Sequence, residues 1–166
     1  FKVDKISTLN LDNHRISSSQ IRQAIAEHNL DQASKLLGRS LKINSRVIHG
    51  QKNGRKIGFH TANQKLPKNS ALKGVYLTKV HFDNNESFYG ISNAGTRPTV
   101  DGKNNLLETH IFNFDKDIYG ETITLRFIDR IREEVKFDNR ESLKDQIAKD
   151  AGIVQKVLAD WANTHQ

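Results

Sequence analysis

The chain has 166 residues with Lys+Arg 26 against Asp+Glu 19, a formal charge of +7, and 36% hydrophobic and 27% charged residues, which suits one compact domain and excludes disorder as its ground state. The lack of cysteine excludes disulfides, thiolate metal sites and cysteine nucleophiles. No apolar run approaches the roughly 20 residues that span a bilayer, and Phe1-Lys2-Val3-Asp4-Lys5 is too charged to open a signal peptide, so a cytoplasmic protein without a membrane partner is expected.

Residues 14–37 read as helix. Ser17-Ser18-Ser19 offers N-caps, and Ile21, Ala24, Ile25, Ala33, Leu36 and Leu37 recur at helical spacing, with a break near Asn29 and a stop at Gly38. From Leu41 the texture changes to short β-favouring runs at 41–48, 74–82, 86–93, 106–114 and 121–129, separated by Asn, Asp, Gly and Pro clusters. Asp83-Asn84-Asn85 and Asp101-Gly102-Lys103-Asn104 are expected as hairpin turns. Strands this short and this closely spaced point to a barrel or sandwich rather than a parallel sheet. The C-terminus returns to helix. Asp138 with Glu141 makes a capping-box pattern, and Leu143, Ile147, Ala151, Val154, Leu158 and Trp161 form an apolar stripe that Gly152 is expected to divide into two helices. The expected architecture is a helical lead-in, a small β-barrel and helix packed across it.

The positive charge is concentrated. Residues 39–73 hold nine basic residues and no acidic one, and removing that window from the 26 basic residues leaves 17 against 19 acidic. Such a field gathers anions, either nucleotide phosphates or nucleic acid, although a solvated Lys-rich surface has the same composition. Within the window, His49-Gly50-Gln51-Lys52-Asn53-Gly54-Arg55-Lys56-Ile57-Gly58 is a glycine-rich basic loop. Its backbone N–H groups suit phosphate oxygens, but it fits neither standard phosphate motif, and a plain basic hairpin turn accounts for it as well. In Phe59-His60-Thr61-Ala62-Asn63, Thr61 and Asn63 point to one side if the segment is extended. Both are hard oxygen donors suited to Mg²⁺, or else they bond the local backbone of a turn. In the strand around Leu107-Glu108-Thr109-His110-Ile111-Phe112, Glu108 and His110 share a face, and a carboxylate on a rigid strand can accept a hydroxyl proton or simply face solvent. Arg130-Ile131-Arg132-Glu133-Glu134-Val135-Lys136-Phe137 joins the last strand to the C-terminal helix. Its Arg132 and Phe137 suit a flat aromatic ligand, or else a charged connection with one buried Phe.

Taken in order, Leu36-Leu37-Gly38-Arg39, Val47-Ile48-His49-Gly50, Gly58-Phe59-His60-Thr61-Ala62-Asn63, Gly74-Val75-Tyr76, Asn93-Ala94-Gly95-Thr96-Arg97-Pro98-Thr99, Glu108-Thr109-His110, Tyr119-Gly120 and Arg132-Glu133-Glu134-Val135-Lys136-Phe137 resemble the riboflavin kinase domain of the bacterial bifunctional riboflavin kinase/FAD synthetase family. Ile16-Ser17-Ser18-Ser19-Gln20-Ile21-Arg22 resembles the segment that closes that family's FMN adenylyltransferase domain. The resemblance implies a mainly β fold, a six-stranded antiparallel Greek-key barrel with a C-terminal helix and an N-terminal helical lead-in. Residues 1–37 would be the terminal remnant of the adenylyltransferase domain with its linker helix, and residues 38–166 the kinase domain. These residues are then expected to be a C-terminal piece that lacks the His-x-Gly-His motif and makes no FAD alone.

The activity so implied is transfer of the ATP γ-phosphoryl to the riboflavin 5′-hydroxyl, giving FMN and ADP with Mg²⁺. By the same resemblance Thr61 and Asn63 would bind Mg²⁺ and nucleotide phosphates, and the loop from Gly50 to Gly58 would close over ADP with Arg55 near its phosphates. Ile111 and Tyr119 would contact the adenine nucleotide, Glu108 would be the general base, and Arg132 and Phe137 would lie in the loop that closes on the flavin. One residue departs from the family pattern: His60 stands where Pro usually precedes Thr-Ala-Asn, which removes a φ restraint beside the metal ligands. A nucleic-acid-binding barrel is the rival reading, but residues 39–73 contain one aromatic, Phe59, where single-strand binders present several stacking rings, so no nucleic-acid partner is expected. A flavin- or nucleotide-binding module without catalysis ranks below the enzyme because Thr61 and Glu108 are both present.

Overall fold

The computed structural model describes residues 10–11, 14–49, 61–99, 102–135 and 140–164. A two-residue antiparallel pair, β1 (Asn10–Leu11) with β2 (His14–Arg15), precedes the helices, so His14 and Arg15 are strand rather than the start of helix. Helix α1 (Ser18–Ala26) begins at a capping box: the Ser17 hydroxyl accepts from the Gln20 backbone N–H, and the Gln20 side chain accepts from that of Ser17. The expected break falls at His28, which adopts φ 62°, and Asn29 caps α2 (Leu30–Leu37) by accepting from Gln32 N at 2.9 Å. Gly38 ends α2 in the left-handed conformation.

Six antiparallel strands follow: β3 (Lys42–Arg46), β4 (Thr61–Lys65), β5 (Gly74–Phe82), β6 (Ser87–Thr99), β7 (Gly102–Ile111) and β8 (Thr122–Arg132). Their spatial order is β3-β8-β5-β6-β7-β4. Strands β5, β6 and β7 form a meander and β8 returns beside β5, which is a Greek key. A bridge between Ile48 and Asn63, with Ile48 N–H donating to Asn63 O at 2.7 Å, brings the chain beyond β3 onto β4 and nearly closes the barrel. The turn at Asp83-Asn84-Asn85 is present, whereas β6 pairs Thr99 with Gly102, so Gly102, Lys103 and Asn104 are strand residues rather than turn.

Alternation along these strands separates two apolar clusters. The inward face gathers Ala62, Tyr76, Val80, Ala94, Leu107, Ile111, Ile123, Leu125 and Phe127 into the barrel core. Gln64, fully buried there, donates to Ser45 O, Ser45 Oγ and Ile123 O. A chain of buried hydroxyls, Thr78 to Ser92 to Thr109, spans three strands with 2.8 Å links. On the outward face, Val75, Leu77 and Ile91 meet Val154 of α3 (Arg140–Thr164). This helix is continuous through Gly152, contrary to the expected division: open space surrounds that position, and one glycine costs a helix only about 1 kcal/mol against alanine. Asp138, the expected cap, lies outside the described residues, as do the side chains of Leu143, Leu158 and Trp161.

Candidate active site

The strand register decides which of the expected site residues meet. Segment 61–65 is a strand, and Cα pairing runs Ile48 to Asn63, Asn63 to Glu108, Glu108 to Asn93, Asn93 to Val75, and Val75 to Arg132. Paired residues of antiparallel strands point to the same face, so Asn63, Glu108, Asn93 and Arg132 stand in one row on the outside of the barrel, about 4.8 Å from strand to strand. Thr61 and His110, themselves paired, begin the next row. The two separate motifs around Asn63 and Glu108 therefore form one constellation, with Arg132 three strand spacings from Glu108 at the far end.

Asn63 is 5% exposed and donates through Nδ2 to Thr61 O at 3.2 Å, which leaves its carbonyl oxygen for another partner. Glu108 is held by Arg97, whose Nε and Nη2 both donate to Oε2, at 3.1 and 2.6 Å. Arg97 also donates through Nη1 to Glu134 Oε1, and Asn93 Nδ2 reaches the same oxygen at 3.3 Å. Burial works against the Arg97 charge, but Glu108 and Glu134 outweigh it and hold the guanidinium above its ordinary value. Asn93 Oδ1 is buried without a hydrogen-bond partner among the described residues. Gly95 lies between Asn93 and Arg97 on the same face, and a Cβ there would stand 2.6 Å from the Glu134 carboxyl carbon. Glycine at 95 is what lets that carboxylate lie flat on β6. Sequence reasoning missed Arg97, Asn93 and Glu134 as members of the site, although all three fall inside the quoted motifs.

At the other end of the row, His49 and Tyr119 stack with centroids 4.3 Å apart and planes at 30°. Arg46 Nε fixes the turn beside them by donating to Gly120 O at 2.7 Å. Tyr119 is half-buried and packs against the barrel core, whereas Ile111 is 5% exposed inside it. Arg132 binds buried Asp150 of α3 through three contacts between 2.7 and 3.1 Å, which is the structural alternative open to it. Gly50, Arg55, Gly58, His60 and Phe137 lie outside the described residues.

Comparison with known proteins gives this arrangement its family. The family model described as "Flavokinase: Riboflavin kinase" matches residues 37–158, about three quarters of the chain. The chain belongs to the riboflavin kinase family. It is 46% identical over 151 residues to the bifunctional riboflavin kinase/FMN adenylyltransferase of Haemophilus influenzae, covering 90% of this chain and 49% of that protein. The Pseudomonas fluorescens protein of the same description is 41% identical over 166 residues, covering 98% and 53% respectively. The chain thus spans about half the length of the curated relatives it matches, and it corresponds to their kinase part. A Streptococcus pneumoniae crystal structure described as a macrolide-efflux protein superimposes with TM-score 0.75 at 36% identity, covering 90% of this chain and 50% of that one. A riboflavin kinase from Trypanosoma brucei shares the fold, with TM-score 0.50 at 21% identity over 71% of this chain and 76% of that one. Among the described residues no helix is long and apolar enough to cross a membrane.

Proposed function

We propose that this riboflavin kinase domain phosphorylates the riboflavin 5′-hydroxyl with ATP, giving FMN and ADP, and that Glu108 is the general base. The observation that carries the reading is the register that sets Asn63 beside Glu108. Phosphoryl transfer asks the protein mainly for positioning and charge neutralisation. A cation site one strand away from a carboxylate brings a bound γ-phosphate within reach of the hydroxyl that the carboxylate would deprotonate. The proton leaves the 5′-oxygen for Glu108 as the new P–O bond forms and the bond to ADP breaks.

The residues present fit Mg²⁺. The Asn63 carbonyl oxygen and Thr61 hydroxyl make no hydrogen bond among the described residues, and both are hard oxygen donors. Mg²⁺ in such sites takes one or two protein ligands and completes its shell with water and phosphate oxygens, so a cage of carboxylates is not required. Thr61 and Asn63 would hold the ion, which would supply neutralisation of the phosphate charge. Gly50, Arg55, Gly58 and Tyr119 are proposed on the nucleotide side, with Ile111 as the wall beneath. Arg132 and Phe137 are proposed on the flavin side, where the Asp150 pair fixes Arg132 beside α3. Residues 38–166 are proposed as the kinase domain and residues 1–37 as the end of an adenylyltransferase domain and its linker, a division supported by a family match that begins at residue 37.

The test is chromatographic detection of FMN from riboflavin and ATP, with Mg²⁺ titrated for the parent and for Asn63→Ala. The reading predicts FMN from the parent and a metal requirement raised about tenfold or more in the variant, since losing even an outer-shell partner of a ligand costs about 10–100-fold. An unchanged metal requirement would remove Asn63 from the site.

A further inference from the structure

The guanidinium of Arg97 pairs with two carboxylates, Glu108 and Glu134, and the roles above leave it unused. Three residues of β6 on one face, Asn93, Gly95 and Arg97, form a cradle: Asn93 and Arg97 both donate to Glu134 Oε1, and Gly95 makes room for the carboxylate between them. The same Arg97 turns its Nε and Nη2 to a single oxygen of Glu108, leaving Oε1 without a hydrogen bond among the described residues. Glutamate has a flexible side chain, and a general base must come within about 2.6–3.2 Å of its proton. A planar fork that grips one carboxylate oxygen restricts where the other points, and a lysine, as a point charge, cannot grip both partners in this way.

We propose that Arg97 is a positioning residue for the phosphoryl transfer: it holds Glu108 by Oε2 so that Oε1 faces the reacting hydroxyl, and through Glu134 it ties that orientation to the segment following β8. The proposal rests on the reading of Glu108 as base. Glu134 belongs to the connection that leads toward α3, so any shift of that connection on the flavin side is felt at Glu108 through one guanidinium.

The test is a double-mutant cycle on the chain, measured as single-turnover FMN formation with enzyme in excess over riboflavin. It compares the parent, Arg97→Gln, Glu108→Ala and the double variant, with Arg97→Lys and Glu134→Gln alongside. A misaligned base costs on the order of 10–100-fold, so Arg97→Gln is expected to slow the parent by that factor with KM for both substrates within about threefold. In the Glu108→Ala background the same change is expected to cost less than about twofold, because nothing remains to be positioned. Arg97→Lys is expected to recover part of the rate and Glu134→Gln to lose less than Arg97→Gln. Should Arg97→Gln fail to fold, Arg97→Lys takes its place in the cycle. Equal slowing in both backgrounds overturns the proposal, as does a change confined to KM. A slow Glu108→Ala with a parent-like Arg97→Gln overturns the proposal alone. A Glu108→Ala that turns over at the parent rate overturns the base reading and the proposal together.

Discussion

Replacing Asp150 by alanine tests what holds α3 against the barrel. The Asp150 side chain is 1% exposed and accepts from Arg132 Nε at 2.9 and 3.1 Å, from Arg132 Nη2 at 2.7 Å and from Gln146 Nε2 at 2.9 Å. Alanine removes the Asp150 acceptors of Nε and Nη2 at once, while Nη1 keeps its bond to Glu133 O at 2.8 Å. Deleting one partner of a buried pair costs about 3–5 kcal/mol, most of it for the charge left behind. The Arg132 side chain is 20% exposed, so water recovers part of that loss, and we expect about 3 kcal/mol. For a domain of this size that is a fall of about 6–12 °C in Tm. Urea unfolding followed by circular dichroism gives the free energy, and hydrogen exchange along α3 shows whether the loss is local. Arg132→Met combined with Asp150→Leu should return to within about 1 kcal/mol of the parent, because an apolar pair of similar volume carries no desolvated charge. A single Asp150→Ala variant within about 0.5 kcal/mol of the parent would refute the reasoning.

Two further outcomes follow from the barrel. Gly90→Ala places a Cβ 2.6 Å from His110 O and 3.3 Å from Ile111 Cα, both backbone, and should destabilise by about 2–3 kcal/mol in urea; an unchanged midpoint would mean that β6 and β7 separate freely. His28, whose Nδ1 lies 3.2 Å from Tyr76 Oη, is held below its ordinary pKa by burial and then by Arg130, with Glu133 opposing, and His81 is lowered by burial and then by Lys79, Arg126 and Lys42. Both take up a proton more readily when unfolded, so stability should fall as pH drops below about 6.5, and His28→Asn and His81→Asn should each flatten that slope between about pH 5 and 7, whereas an unchanged slope would contradict the assignment.

The sequence made the β5 strand legible to the residue, because Val75, Tyr76, Leu77, Thr78 and Val80 carry strong β preference inside turn signals. Strand β4 was not legible as a strand by pattern. Thr61-Ala62-Asn63-Gln64-Lys65 has one β-branched residue, and its buried polar pair is held locally at Asn63, which donates to Thr61 O, and by distant Ser45 and Ile123 at Gln64. The ends of β6 and β7 were short for the same reason, since Gly95, Thr96, Arg97, Asn104 and Asn105 read as turn until a partner strand pairs them. Thr61, Asn63 and Glu108 could be singled out by chemistry, but their meeting depends on the register of β4 against β7, two strands that no hairpin turn joins. Arg97 was hidden for a further reason: its reach to Glu108 is diagonal across two strands, and its Cα partner is Asn104.

The proposed phosphoryl transfer rests most directly on Glu108. FMN formation from riboflavin and Mg-ATP should be measured by chromatography for the parent and for Glu108→Ala side by side. A general base is worth about 10²–10⁴ in rate, so FMN is expected from the parent and a loss of that size in the variant, with both proteins folded. Equal FMN from the two proteins would contradict it and remove Glu108 from the chemistry.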